Sequence, residues 1–224
     1  MVRDRVFFVV LAFLIFLSDL CFSESNISAV DFFNLIRRES LVKLPDQFTC
    51  TMSSKTIAKK MESIPSDSIL DKKSRPYVQF GYSKASGVQI LVQNVEDLYR
   101  DLYKDLTRQF FAIDLLLAAR NQQTNTRYEI SWLNPGDEVK ILKLNIPSAQ
   151  NNLLVYYNIK NKQVFRVDYR LGNQVASSSI IAYQVITSSN KSYEIPVRFL
   201  TKVFKNNAEQ LPETLEFSNF KIKD

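Results

Sequence analysis

Residues 153–173 read LLVYYNIKNKQVFRVDYRLGN, two strands and a turn. The first strand, 153–159, is apolar and aromatic. In 163–171, Phe165, Val167, Tyr169 and Leu171 fall on one side and Arg166, Asp168 and Arg170 on the other, the period of a half-buried strand. Gly172-Asn173 is a hairpin signal, because such turns need residues that accept positive φ. The same pattern continues downstream through 175–187, 192–204 and 214–222. The last of these loses phase between Phe217 and Phe220, which predicts a bulge. Pro196 has no N–H to give a ladder, so 192–204 is expected to meet an edge or a bulge there.

Upstream, Tyr128, Ile130 and Trp132 alternate with Arg127, Glu129 and Ser131. Asn134-Pro135-Gly136-Asp137 then makes a turn into a strand over 139–146. Earlier still, 77–82 and 88–93 alternate and are split by Gly87. Residues 46–62 start as a strand and lose their pattern near Lys59-Lys60, and 65–76 is polar loop.

Two segments have helical period instead. In 28–41, Ser28 is the expected N-cap and Val30, Phe33, Ile36 and Ser40/Leu41 form a stripe that Phe32 and Leu35 widen. In 96–119, Leu98, Leu102, Leu106, Phe110, Ile113 and Leu117 recur every three or four residues, a face ~36 Å long. Arg100, Asp101, Lys104 and Asp105 face out in its first half, whereas 110–117 is apolar nearly all round and needs cover on several sides. Together these give about ten strands and two helices. The expected fold is α+β: an unclosed, strongly curved antiparallel β-barrel with both helices over its concave face. It forms a single domain over 24–224, without internal repeats.

The chain has 224 residues, 46% hydrophobic and 23% charged, and no histidine. That absence removes Ser-His-Asp triads, Cys-His dyads and His-ligated metals, so neither an enzyme nor a metal or other cofactor is expected. Gly-rich phosphate loops, Cys-x-x-Cys pairs and calcium-loop spacings are also missing. Asp97, Asp101 and Asp105 share one helical face; a solvated flank alternating with Arg100 and Lys104 accounts for them more simply than paired-carboxylate chemistry. Basic clusters at Lys59-Lys60, Lys72-Lys73-Arg75 and Lys160-Lys162-Arg166 lack interleaved aromatic residues, so nucleic acid is not an expected partner. The net charge of +6 serves solubility, or the approach to an anionic lipid surface or acidic partner.

Residues 1–23 carry Arg3 and Arg5, an apolar run from Val6 to Leu17, and a polar break at Ser18-Asp19. The run spans ~18 Å as a helix, against ~30 Å of hydrocarbon, which fits a secretory signal better than a membrane span. Cleavage after Ser23 is the expected outcome; lipidation at Cys21 and an uncleaved anchor are the alternatives. Cleavage leaves Cys50 as the only cysteine, in the alternating run 48–52, where a buried small side chain is a better reading than a reactive thiol. The sequons at Asn26 and Asn190 matter only in a glycosylating pathway.

Several stretches bear a family likeness. Lys73-Ser74-Arg75-Pro76 stands before an alternating strand, and FAIDLLLAARNQ (111–122) precedes the strands of 128–144. VYYNIKNKQVFRVDY (155–169) is a strand pair with Asn161-Lys162 at its turn, and YEIPVRF (193–199) is a late strand with a proline. This set resembles the LolA-like periplasmic carriers of outer-membrane lipoproteins, with cover spread over 28–222. The chain departs from them in having no Gly-rich turn before its central helix, and in Gln79 where they have an aromatic residue.

The resemblance implies an exported monomer that takes lipoprotein acyl chains from an inner-membrane donor to an outer-membrane acceptor. Its helices would be a lid over the concave face, and Arg75 the latch that bonds lid carbonyls. The expected cavity lining is Phe33, Phe80, Leu91, Phe110, Ile113, Leu117, Tyr128, Ile130, Trp132, Phe165 and Tyr169. Two alternatives stay open: side chains that simply fill one another, and a periplasmic sensor or structural protein that uses the fold without moving cargo.

Overall fold

The computed structural model describes residues 27–102, 113, 116–117, 128–146, 151–205, 208–210 and 212–223. The expected export signal with Cys21, the Asn26 sequon, Phe110 and most of the segment 103–127 lie outside the described residues.

Helix α1 (Ala29–Lys43) begins where the Ser28 hydroxyl accepts a hydrogen bond from the Asp31 N–H at 3.1 Å. Its buried stripe is Ala29, Phe32, Phe33 and Ile36, while Val30, expected on that stripe, is exposed. Leu44, Pro45 and Asp46 lead directly into β1 (Gln47–Ser53). The strand does not fade gradually. Ser54 stops it by capping α2 (Lys55–Met61), accepting from the Ile57 N–H at 3.1 Å and donating to Glu213 at 2.7 Å.

Strands β2 (Tyr77–Ser83) and β3 (Gly87–Gln93) form a hairpin, with Gly87 at φ +79. The helix expected over 96–119 is not continuous. Its first turn, α3 (Asp97–Arg100), ends at Asp101, and Leu98 and Leu102 are exposed rather than inward. The chain here is pinned back to the loop before β2: the Glu96 N–H donates to the Ser68 carbonyl at 3.0 Å, and Val95 bridges Ile69. That anchorage turns Tyr99 toward the core in place of the leucines.

The remaining strands are β4 (Glu129–Asn134), β5 (Val139–Asn145), β6 (Asn151–Asn158), β7 (Gln163–Leu171), β8 (Gln174–Ser188), β9 (Lys191–Lys205), β10 (Ala208–Glu209) and β11 (Glu213–Lys223). One 11-stranded sheet has the order β3-β2-β1-β11-β9-β8-β7-β6-β5-β4, with β10 beside β9. Its pairs are antiparallel. The sheet does not close: β3 and β4 are its two edges.

Five register shifts interrupt the pairing among the described residues, and three of them bear directly on expectations from the sequence. Asn219, at φ +55, is the extra residue in β11, inside the phase slip between Phe217 and Phe220. Beside Pro196, Val197 is the extra residue in β9, since Tyr183 pairs with Pro196 and Ala182 with Arg198. In β7, Tyr156 pairs with Arg166 and Tyr157 with Val164, which leaves Phe165 unpaired between them. The turns follow their chemistry: Gly172 takes φ +58 between the paired Leu171 and Gln174, and Ser189-Asn190 at φ +48 and +63 close β8 onto β9. The turn after β4 is held by the Asn134 side chain, which accepts from the Gly136 N–H at 3.0 Å.

Alternation along ten strands thus collects one face of apolar residues into a single cluster, joined by α1, α2, Ile113, Leu116 and Leu117. Its middle is aromatic: Phe80 lies 4.8 Å from Phe217, and Phe199 meets Phe217 edge-on at 5.7 Å between ring centroids.

Candidate functional site

The α1-covered face of the sheet is the candidate site. Phe32 of α1 sits 5.1 Å from the Trp132 ring on edge strand β4 and 5.4 Å, edge-on, from Tyr157 on β6. The Lys140 ammonium caps this pair, 5.4 Å from the Phe32 ring and 5.6 Å from Trp132, a cation–π arrangement that leaves the charge at the rim. Phe33 and Ile36 go deeper, and Ile113 and Leu117 are fully buried with them.

Polar contacts fasten the C-terminal half of α1. The Tyr157 hydroxyl donates to Glu39 at 3.0 Å; Lys43 reaches Glu194 at 2.6 Å and donates to the Lys162 carbonyl at 3.0 Å. Gln163 in turn donates to Glu194. Burial, then the hydrogen bond to Glu39 and its charge, push the Tyr157 hydroxyl up, so it stays a donor. On α1 itself burial pulls the Arg37 guanidinium down. This clasp was not anticipated from the sequence, where Glu39, Lys43 and Glu194 look like ordinary surface charges.

Of the residues predicted to line the site, Phe33, Phe80, Ile113 and Leu117 are buried together in the cluster. Tyr128, Ile130, Trp132 and Tyr169 are half-buried against it. Leu91 and Phe165 are not on this face. Leu91 pairs with Gln79 on the far side, while Ile90 and Val92 turn inward; the β7 bulge puts Phe165 beside Tyr156, with ring centroids 6.2 Å apart. Phe110 is outside the described residues. Arg75 is exposed in the loop before β2, with no hydrogen bond or ion pair among the described residues.

Between α1, Leu116 and the sheet lies a cavity of about 10 Å³ lined by Phe33, Ile36, Arg37, Ser40, Leu41, Leu116, Val155 and Val164. A second, of about 20 Å³, lies by the clasp and touches Lys43, Leu44, Leu117, Tyr183 and Glu194. Each is about the size of one water molecule, so neither admits an alkyl chain unless α1 or the Leu116 and Leu117 side chains move. Cys50, on this face, is buried and its thiol is pushed up to about 12 by that burial, which makes it a packing residue and not a nucleophile. Among the described residues, no group of three or more Cys, Asp or Glu side chains is placed to hold a metal.

The far side of the sheet carries its own ion pair. Arg166 grips the buried Asp168 through two 2.8 Å hydrogen bonds, and Tyr156 donates to the same carboxylate at 3.0 Å. No helix among the described residues is long and apolar enough to cross a membrane. The chain matches no protein-family model and has no significant match among curated proteins.

Proposed function

We propose that this protein is an exported carrier of the LolA-like kind, which holds lipoprotein acyl chains on the α1 face of a curved, unclosed barrel and passes them toward the outer membrane. The observation that carries the reading is the continuous apolar face of an open 11-stranded sheet, covered by α1 and the side chains of Ile113, Leu116 and Leu117. The two cavities beside α1 are water-sized, so on this reading loading means lifting a cover. Arg75 is exposed without a partner among the described residues, and its expected lid partners fall in the segment 103–127, most of which lies outside them. The test is organic extraction of the protein purified from its native envelope, followed by mass spectrometry. Acylated molecules in stoichiometric amount support the carrier; their absence, together with normal lipoprotein sorting in depleted cells, rejects it.

The filled face also favours a second reading. A periplasmic sensor or structural protein needs a packed sheet and no room for cargo, and it predicts an empty extract and unchanged sorting.

A further inference from the structure

The chain has four glycines, and three sit in turns. The fourth, Gly81, is in the middle of β2, where glycine weakens a strand by leaving nothing to pack. Its backbone does not need glycine: positive φ is confined to Gly87 and Gly172 among the glycines. Space does not need it either, since a Cβ at Gly81 would meet the Gln89 carbonyl at 3.7 Å and the Thr49 methyl at 3.9 Å, ordinary contact distances. What the missing side chain does is open the floor of a groove of about 280 Å³ on the far face of β1, β2, β3 and β11.

The walls of this groove are polar and positive. Register places Gln89, Gly81, Thr49 and Lys221 in one cross-strand row, and Ser83, Gln47 and Lys223 in the next. Lys221 and Lys223 are two residues apart on one strand, so their stems rise about 7 Å apart on the same side. Neither lysine has an ion-pair partner among the described residues. The nearby Asp46 is already engaged by Lys84 at 3.0 Å. Two ammonium groups without an ion-pair partner among the described residues, two hydroxyls and two carboxamides around a bare backbone floor suit a phosphate ester with hydroxyls of its own. The volume is at the small end for ligand clefts and fits a headgroup rather than a larger molecule.

We infer that the Gly81 groove binds a small phosphate ester of the glycerol phosphate type, free or as a lipid headgroup. Lys221 and Lys223 hold the phosphate as point charges, and Gln47, Thr49 and Gln89 bond the hydroxyls. The groove is on the opposite side of the sheet from α1, so it stands or falls independently of the acyl-chain reading.

The test is an NMR titration of the 15N-labelled full chain with sn-glycerol 3-phosphate, with glycerol and sodium chloride of matched ionic strength as controls. Flotation with phosphatidylcholine vesicles, with and without phosphatidylglycerol, is the second arm. Saturable shifts at Thr49, Gly81 and Gln89 are expected with the phosphate ester only. Each of Lys221→Gln and Lys223→Gln should weaken binding roughly tenfold, and Lys205→Gln, on another strand, should not. Gly81→Val should abolish binding at an unchanged or higher melting temperature; if that variant does not fold, the lysine variants decide. Vesicle binding lost in the same variants identifies a headgroup, and binding of the free ester alone identifies a soluble ligand. Shifts that follow ionic strength alone, or survive in the double lysine variant, overturn the inference.

Discussion

The hydroxyl of Tyr82 is buried on the α1 face with no hydrogen-bond partner among the described residues, within electrostatic reach of Arg37. A lone buried hydroxyl costs desolvation without return, so Tyr82→Phe should leave stability unchanged or raise it by about 1 kcal/mol in urea denaturation at pH 7. A clear loss would mean that the hydroxyl is bonded after all. The same residue and Cys50 contribute to the alkaline limit, alongside Tyr157 and Tyr183, whose hydroxyls burial also pushes up. Burial, then Asp46, against Arg37, pushes Tyr82 up to about 12 from 10.0; burial alone pushes Cys50 up to about 12 from 9.0. Both groups are neutral when folded and ionise more easily when unfolded. Their contribution is therefore complete below about pH 9 and is lost as pH rises from there through about 12. Urea midpoints measured from pH 8 to 12 should fall across that window, with Cys50→Ala flattening its start and Tyr82→Phe its middle. An equal fall in all three proteins would assign the loss elsewhere.

Among the elements, α1 is held by two unlike means: apolar side chains in its first half, a clasp in its second. Tyr157→Phe removes the 3.0 Å bond to Glu39 and little else. With Glu39 half-exposed, the loss is about 1 kcal/mol, enough to speed amide exchange in α1 roughly fivefold while β2 and β3 keep their protection. Uniformly faster exchange would mean that α1 does not open on its own. That clasp was hidden in the sequence, because Glu39 and Lys43 find their partners Tyr157, Lys162 and Glu194 far along the chain, and only the folded sheet brings them together. Features written in local chemistry were legible: Ser28 as a cap, Pro196 beside a bulge, and the slip after Phe217 resolved at Asn219. The β7 bulge was not, since Phe165, Val167, Tyr169 and Leu171 alternate without a break, and only pairing with β6 shows that Val164 takes the inward place. In β3 the alternation was legible but the choice of Leu91 was not. Gln89 and Gln93 share its side, while Val88, Ile90 and Val92 pair across to the inward residues of β2. The short α3 differs from expectation for a related reason: a leucine stripe gives the period of a helix but not the backbone anchor at Ser68, which fixes how the chain enters α3 and which side chain turns inward.

At the scale of the whole molecule, the proposed carrier would have cover and cargo compete for one surface. Phe32, Phe33 and Ile36 each contribute about 1.5–3 kcal/mol of burial to the attachment of α1, while an acyl chain of about fifteen methylenes offers about 12 kcal/mol gross before ordering costs. Those magnitudes are close enough for exchange, which is what a carrier needs and a structural protein does not. Phe33→Ala separates the two. The side chain is 1% exposed, so its removal should cost about 3–5 kcal/mol and leave a cavity under α1. In a carrier that cavity lies on the path of the acyl chain. A diacylated lipopeptide should then raise the melting temperature of Phe33→Ala by more than that of the unsubstituted chain, because it restores contacts the variant has lost as well as adding its own. In a protein that only packs, the variant should melt low with or without lipopeptide. Differential scanning fluorimetry with the deacylated peptide as control reads both outcomes, and an identical low melting temperature in all three samples would remove the carrier from consideration.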